Sequence, residues 1–268
     1  MHADISINAL SFAPARLDKL ADQVARIGAQ AISPDLEQVL AFGATATALL
    51  FRDTGLETAA LTHRAFAFAT RNDVAAAHER LDRTIDIAIE IGARSIVLTT
   101  GGRGSCGWAD ATDRFAEAIA PCAAKSLTAG IALGVEPTSH LYADVSIAHR
   151  LSDTVQIARK ADIAVVIDLF ACWFDADIEA AIAEAAPLAS LVQVSDYIYG
   201  DRGLPCRAVP GDGAVPLARL IPAIVDAGYG GYFDLEIIGP RLRAEGEEMG
   251  LRRAGDLIGA LIEQARAN

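Results

Sequence analysis

The sequence predicts a single (β/α)8 TIM barrel, an α/β fold in which eight parallel strands alternate with eight helices. The chain has 268 residues, about the length of one such barrel. Short apolar runs alternate with longer amphipathic segments, and no linker or low-complexity stretch interrupts them. Several apolar runs end in a carboxylate or amide, as expected where barrel strands deliver functional residues to one mouth. We therefore expect residues 1–268 to form one domain.

Eight apolar runs predict the strands of this barrel. They are short, rich in β-branched residues in the second half of the chain, and bounded by Gly, Pro or charged residues. Near-continuous apolar character is typical of parallel strands, which are buried on both faces. The predicted strands, in order, are 5–10, 31–36, 58–62, 94–100, 131–135, 164–167, 191–194 and 232–235.

Amphipathic segments between these runs predict the helices, and common start and stop signals mark their ends. Pro14 begins the first helix and Gly28 ends it, while Gly55 ends the second. Asn72 or Asp73 is the expected N-cap of the long helix that follows strand three. The predicted helices are 14–27, 37–51, 72–91, 110–129, 146–160, 177–185, 216–227 and 251–265.

The composition excludes several classes of partner. The formal net charge is −12, and Lys19, Lys125 and Lys160 are the only lysines, so the chain would repel nucleic acid and anionic membranes. The N-terminus lacks a basic, then apolar leader, and no apolar run reaches the length of a membrane span. The four cysteines form no CxxC pair or zinc spacing, which favours free thiols in a reducing compartment. We expect a cytoplasmic protein that acts on a small molecule.

Four strands carry an oxygen-bearing side chain at or near their C-terminal ends. These side chains are Glu136, Asp168, Gln193 and Glu236. In a closed parallel barrel they converge on one mouth. Three carboxylates in one pocket repel each other strongly unless a positive charge compensates them. A divalent cation is the natural compensation, and a set of oxygen ligands suits Mg²⁺ or Mn²⁺.

Two long loops on the same face add candidate substrate-binding residues. Arg207 lies in the loop of residues 195–215, and its planar guanidinium suits a carboxylate, a phosphate or vicinal oxygens. The alternative for Arg207 is a salt bridge within the loop to Asp196 or Asp201. We expect Asp196 to orient Arg207 or a metal ligand rather than to bind metal itself.

Other polar and aromatic residues near strand ends are also candidates for substrate contacts. His140 follows Glu136 by four residues, and His63 and Arg64 follow strand three. Each histidine has the alternative of a hydrogen bond within its own loop. Trp173 could form an apolar wall over a substrate ring, although aromatic residues at strand ends more often belong to the core.

The ordered set of motifs resembles the xylose-isomerase-like sugar isomerase/epimerase superfamily, of the AP endonuclease family 2 type. The motifs are Glu-Pro after strand five, Asp after strand six, Gln-x-x-Asp after strand seven, Arg-x-x-Pro-Gly-x-Gly in the next loop, and Leu-Glu at strand eight. In this chain they fall at Glu136-Pro137, Asp168, Gln193 with Asp196, 207–213, and Leu235-Glu236.

The resemblance implies a divalent metal, commonly Mn²⁺, Mg²⁺ or Co²⁺, held by the four strand-end residues. Many members have His where this chain has Gln193, and the hydroxypyruvate-isomerase-like and 3-dehydroshikimate-dehydratase-like branches resemble it in using Gln. Many members also have His three residues after the strand-six Asp, where this chain has Ala171. This second departure leaves both substrate and reaction open.

Several functions follow from the resemblance. In the epimerases, two glutamates act on opposite faces of the substrate, and Glu136 and Glu236 match them. We expect a metal-dependent isomerase or epimerase of a small sugar, keto-polyol or hydroxy-keto acid. The main alternative is a lyase, either a dehydratase of the 3-dehydroshikimate type or an eliminase of oxidised glycosides. An apurinic endonuclease and a non-catalytic barrel are further alternatives. The superfamily often forms dimers or tetramers.

Overall fold

The chain folds into a barrel of parallel strands surrounded by helices, in a computed structural model that describes residues 1–267. Neighbouring strands pair in the order β3-β2-β1-β9-β8-β7-β6-β5-β4, and every pair is parallel. The strands are β1 (Ile5–Asn8), β2 (Ala31–Ser33), β3 (Glu57–Thr58), β4 (Ala60–Ala65), β5 (Ser95–Thr99), β6 (Ala132–Val135), β7 (Ala164–Asp168), β8 (Ala189–Val194) and β9 (Phe233–Leu235).

The barrel has eight positions although nine strands are assigned, because β3 and β4 are two parts of one position. Only Ala59 separates them, and its N–H donates to the carbonyl of Ile32 at 2.9 Å. Further along, the N–H of Thr62 donates to the carbonyl of Pro34 at 3.0 Å, so β4 continues beside the end of β2. These bonds join the two ends of the sheet. The predicted TIM barrel is confirmed, and strand three is longer than the predicted 58–62.

Helices fill the connections between strands, with several boundaries different from those predicted. The predicted helix 37–51 is two helices, because Gly43 adopts φ 95° and breaks the chain between them. The first helix begins at Leu17 rather than Pro14. The predicted helix 72–91 is capped by Thr70 rather than by Asn72 or Asp73. The helices are α1 (Leu17–Ile27), α2 (Leu36–Phe42), α3 (Ala44–Thr54), α4 (Arg71–Glu90), α5 (Trp108–Thr128), α6 (Leu151–Ala161), α7 (Leu169–Cys172), α8 (Ile178–Ala185), α9 (Leu217–Asp226), α10 (Pro240–Glu245) and α11 (Glu247–Arg266).

Two sets of buried side chains divide the core, as the period of two along a strand requires. The larger set lies between strands and helices and includes Ile96, Ile167 and Val192. The smaller set includes Val97, Val166 and Leu191, the neighbours of those residues on the opposite side of the same strands. This smaller set fills the barrel below the mouth. Within residues 1–267, no helix has the length and apolarity needed to cross a membrane, and all four cysteines are free thiols.

Gly134 is required by close packing inside the barrel, two residues before Glu136. A Cβ at this position would lie 2.5 Å from Ser190 Oγ and 2.8 Å from Val166 Cγ2. We expect Gly134→Ala to lower the free energy of unfolding by about 1–3 kcal/mol, because overpacking a dense interior forces neighbouring side chains to shift. Urea denaturation measures this. Gly203→Ala is the matched control, because Gly203 is exposed and a Cβ there would meet nothing within 4 Å. Equal stability of the two variants would contradict the prediction.

Candidate active site

Four neighbouring strands bring the predicted site residues together at the C-terminal mouth of the barrel. Asp168 ends β7, Gln193 lies near the end of β8, and Glu136 and Glu236 directly follow β6 and β9. The parallel register aligns Asp168 with Gln193, and Gln193 with Asp234. Each side chain is therefore held by a regular strand. Asp168, Gln193 and Glu236 are buried, and Glu136 is half-buried.

Arg207 lies among these carboxylates rather than in a loop salt bridge. Its guanidinium makes two parallel hydrogen bonds to Asp168, with Nη1 3.0 Å from Oδ1 and Nη2 2.7 Å from Oδ2. Nη2 also lies 2.9 Å from Oε2 of Glu236, although the angle there is not that of a hydrogen bond. The ring of Phe170 packs against the guanidinium, 4.7 Å from Cζ to the ring centre. Arg207 thus links two of the candidate metal ligands.

One guanidinium does not neutralise three carboxylates, and the proton affinities of the site reflect this excess. Burial raises the pKa of Glu136 well above its usual range, and the charges of Glu236 and Asp168 raise it further. Burial also raises the pKa of Glu236 to about 7, and Arg207 opposes this shift while Asp168 and Asp234 add to it. For Arg207, burial lowers the pKa, but the adjoining carboxylates outweigh burial and raise it. Both glutamates therefore bind protons more tightly than an ordinary carboxyl group does.

The donor set fits a divalent cation. Oε1 of Gln193 is buried and accepts no hydrogen bond, and a buried oxygen of this kind is costly unless it has a partner. Oε2 of Glu236 is also buried without a hydrogen bond, and it forms an ion pair with Arg207. Residues 1–267 contain no group of three or more His, Cys, Asp or Glu side chains spaced to bind a metal ion. Arg207 forms ion pairs with Asp168 and Glu236 in this arrangement. The residues that could bind a cation once Arg207 shifts are Glu136, Asp168, Gln193 and Glu236.

A further buried carboxylate, not anticipated from the sequence, lies below the mouth. Asp234 on β9 is fully buried and accepts hydrogen bonds from Ser6 Oγ at 2.5 Å, Ser33 Oγ at 2.8 Å and Asn8 Nδ2 at 2.9 Å. Burial raises its pKa, and these three donors oppose that shift. Asp234 alternates with apolar residues in Tyr232–Leu235, and this alternation is the signal that the sequence offers. It places the side chains of residues 234 and 236 on the same inward face of the strand. Asp234 adds negative charge beneath Glu236.

The mouth opens into a pocket of about 500 Å³. Glu136, Asp168, Arg207 and Glu236 lie on its floor, and Arg64 lies on its wall. Arg64 adopts φ 82°, a conformation that residues other than glycine rarely adopt, at an irregularity in the pairing of β4 with β5. Its Nη2 donates to the buried Oδ2 of Asp35 at 2.9 Å. Arg64 therefore lies at the pocket, and its hydrogen bond to Asp35 holds the side chain there.

His63 lies outside this pocket, although it was predicted beside Arg64. Successive residues of a strand point to opposite sides, so only one of the pair can face the mouth. The fully buried His63 ring lies against α4, with Nδ1 2.8 Å from Thr84 Oγ1. Burial, together with the charge of Arg80, lowers the pKa of His63 to about 4.

The remaining predicted contacts lie in the surrounding loops. His140 is exposed, and it lines an outer cavity with Trp173 rather than the inner pocket. Asp196 does not contact Arg207. Its carboxylate accepts hydrogen bonds from four backbone N–H groups, those of Tyr197, Gly211, Gly213 and Val215. Asp196 therefore fixes the loop that carries Arg207.

The pH dependence of stability provides a test of the Glu236 environment. A carboxyl group whose pKa is higher in the folded than in the unfolded protein binds more protons when folded, so stability falls as pH rises through that range. For Glu236 this pH range runs from the ordinary pKa of 4.5, which applies to the unfolded protein, to the folded pKa of about 7. His63 has the opposite sign, because its lowered pKa costs stability as pH falls from 6.5 towards about 4. The two contributions partly cancel in the wild type.

We therefore expect the comparison of Glu236→Gln with wild type to isolate the contribution of Glu236 to the pH dependence of stability. In chelator-treated protein, the variant should gain up to about 3 kcal/mol relative to wild type between pH 5 and 8, because only the wild type carries the buried carboxyl group. Urea denaturation at several pH values measures the difference. A difference in stability that does not change with pH would contradict the raised pKa.

Comparison with known proteins identifies the family. A family model described as xylose isomerase-like TIM barrel matches residues 21–258. None of the curated proteins matches the sequence. Among solved structures, the IolI protein with a bound zinc atom superposes with a TM-score of 0.83 at 14% identity, over 99% of each chain.

Two further structures share the fold. An L-ribulose 3-epimerase has a TM-score of 0.78 at 19% identity, over 99% of this chain and 96% of its own. The probable 3-DHS dehydratase AsbF from Bacillus anthracis has a TM-score of 0.77 at 12% identity, over 95% of this chain and 98% of its own. At such identities the likeness concerns the fold alone, while the family match covers most of the sequence. The chain belongs to the xylose isomerase-like TIM barrel family.

Proposed function

We propose that this protein is a divalent-metal-dependent isomerase or epimerase of a small sugar, keto-polyol or hydroxy-keto acid. The observation that carries the proposal is the pair Glu136 and Glu236. They follow β6 and β9, which are three positions apart in an eight-position barrel, and both line the same pocket. Burial and neighbouring carboxylates raise the pKa of both carboxyl groups, and a carboxylate of raised pKa is a stronger base for a proton transfer.

The proton transfers follow from this arrangement. A substrate carbon next to a carbonyl group, lying between the two glutamates, would lose its proton to one carboxylate and regain one from the other. Arg207 would bind a substrate oxygen through its planar guanidinium, and Arg64 on the wall would bind a second oxygen. Return of the proton to the opposite face of the same carbon gives an epimer. Its return to the former carbonyl carbon, with transfer of the neighbouring hydroxyl proton to the former carbonyl oxygen, gives an isomer.

Metal dependence is part of the proposal and has three supports. The buried oxygen of Gln193 without a hydrogen bond fits a cation, the all-oxygen donor set suits Mg²⁺ or Mn²⁺, and the IolI protein of similar fold is described with zinc. The residues that would hold the cation are Glu136, Asp168, Gln193 and Glu236. When bound, a divalent cation polarises a carbonyl group and so acidifies the adjacent carbon.

A metal-dependent lyase is the second candidate. Ala171 lines the pocket next to Asp168, and its methyl group can neither donate nor accept a proton. If the substrate carries a hydroxyl group β to its carbonyl, the same proton removal followed by loss of that hydroxyl forms a C=C bond. Glu236, whose pKa burial raises to about 7, would donate a proton to the leaving oxygen. The fold shared with the probable dehydratase AsbF also supports this candidate.

Incubation in D₂O tests both candidates. The protein, saturated with Mn²⁺, is mixed with individual ketoses and hydroxy-keto acids, and the products are analysed by NMR and ultraviolet absorbance. Isomerase or epimerase activity places solvent deuterium on the carbon next to the carbonyl of a new isomer. A new conjugated C=C absorbance identifies the lyase and overturns the isomerase proposal. Products that match those of Glu136→Gln would mean that neither activity belongs to this site.

A further inference from the structure

An aromatic cleft adjoins the inner pocket on the same face of the barrel. The cleft has a volume of about 830 Å³. Five residues line both cavities, so the two lie side by side: Ser139, Phe170, Ala171, Leu204 and Cys206. Each cavity alone has the size typical of a site for a drug-sized ligand. The inner pocket already accommodates a small polyol, so the cleft is room beyond what such a substrate needs.

A connected series of aromatic rings leads from the charged site into this cleft. Phe170 packs against the Arg207 guanidinium, and its ring centre lies 6.1 Å from that of Tyr197. Tyr197 lies 6.3 Å from Trp173 and 6.2 Å from Tyr199, again between ring centres. These spacings are those of favourable aromatic contacts. The rings therefore form one continuous wall that begins at the reacting groups.

The outer part of this wall is exposed to solvent. Phe174 is 78% exposed, Tyr199 is 70% exposed and Leu141 is 66% exposed, and all three line the cleft. Trp173 packs against Phe174 with ring centres 4.9 Å apart. Large apolar side chains clustered beside a polar pocket are typical of a surface that binds a ligand.

We propose that the cleft is a second substrate subsite, which takes a flat ring, either a pyranose or an aryl group, attached to the polyol that reacts at Glu136 and Glu236. This inference rests on the proposed function and narrows its substrate class from free sugars and keto acids to derivatives that keep the carbonyl group and also carry a ring, such as oxidised glycosides. The ring lies over Trp173 and Tyr197. The substrate would pass between the two cavities beside Ala171, which lines both and has only a single methyl group as its side chain.

Binding of unreactive glycosides tests the subsite independently of turnover. The probes are 4-nitrophenyl β-D-glucopyranoside, methyl β-D-cellobioside and methyl β-D-glucopyranoside. With one glucose unit in the inner pocket, they offer the cleft an aryl ring, a second pyranose and no second ring, respectively. None has a free carbonyl group, so none is turned over. Titration calorimetry on the Mn²⁺-saturated protein measures each affinity.

We expect one of the two ring-bearing probes to bind about tenfold more tightly than the methyl glucoside, which corresponds to one favourable aromatic contact. Trp173→Ala should reduce this preference to about threefold or less, and Ala171→Phe, which narrows the passage, should do the same. Leu127→Ala is the control, because Leu127 is an exposed apolar residue on α5 outside both cavities and should preserve the preference. The tighter probe identifies the ring as aryl or pyranose.

Equal affinities, no measurable binding of any probe, or a preference that survives Trp173→Ala would overturn the subsite. Self-association is a further outcome that would overturn the subsite. If the probe preference is absent and sedimentation shows a dimer that Phe174→Ser disrupts, the exposed rings bind a second copy of the chain. A probe preference without any deuterium incorporation would count against the proposed reaction alone. Deuterium incorporation without a preference would count against the subsite alone.

Discussion

Arg207→Met is expected to destabilise the metal-free protein by about 3–5 kcal/mol at pH 8, the cost of removing one partner from a buried ion pair. Arg207 compensates Asp168 and Glu236 at 2.7 and 2.9 Å, and its side chain is 14% exposed. Methionine keeps much of the side-chain volume and removes the charge. Urea denaturation of chelator-treated protein measures the loss. Saturating Mn²⁺ should restore much of it, because a cation bound among the same carboxylates replaces the missing charge.

Arg253→Met is the matched control. Arg253 also pairs with two carboxylates, Asp212 and Glu245, but its side chain is 43% exposed. Exposed pairs contribute little because water and salt screen them, so we expect a loss of about 1 kcal/mol or less with no response to Mn²⁺. If both variants lose the same stability, Arg207 does not act as the internal counter-charge of the site.

Glu136→Gln is expected to reduce turnover of the keto substrate by about 10²–10⁴-fold, the usual contribution of a positioned acid or base. The variant should fold normally. It removes a carboxyl group whose pKa burial and like charges raise, so the metal-free variant should be at least as stable as wild type at pH 8. Kinetic assays under Mn²⁺ saturation and urea denaturation measure the two effects.

Glu179→Gln serves as its control, because Glu179 pairs with Arg219 at an exposed position on α8 and should leave turnover unchanged. Retention of activity by Glu136→Gln within about tenfold of wild type would remove Glu136 from acid–base catalysis. Loss of activity together with loss of folding would indicate a structural role instead.

Much of this arrangement could be predicted from the sequence, because the second half of the barrel has strong local signals. Each of β6 to β9 is an apolar run with a polar side chain at its C-terminal end, and parallel strands place such ends at one mouth. The family match over residues 21–258 agrees with the resemblance carried by those motifs. Helix starts were less predictable, since Leu17 and Leu151 begin helices without a side-chain cap.

The features that could not be predicted depend on side-chain direction and on distant contacts. Whether His63 or Arg64 faces the pocket is decided by the irregularity in β4, which leaves no sign in the sequence. The partners of Arg207 lie 39 and 29 residues away along the chain, so the nearby Asp196 and Asp201 were equally plausible from sequence. Local alternation along the strand could place Asp234 on the inward face, but its partners Ser6, Asn8 and Ser33 lie more than 200 positions away and no local pattern indicates them.

Metal binding tests the central claim most directly, because it needs no knowledge of the substrate. Chelator-treated wild type, Glu136→Ala and Asp168→Ala would be titrated with Mn²⁺ by calorimetry. We predict about one ion per chain in the wild type, with affinity at least about tenfold lower in each variant, since each removes a carboxylate ligand. No binding to the wild type, or binding unchanged in both variants, would contradict a cation site at the barrel mouth and the proton-transfer chemistry proposed for it.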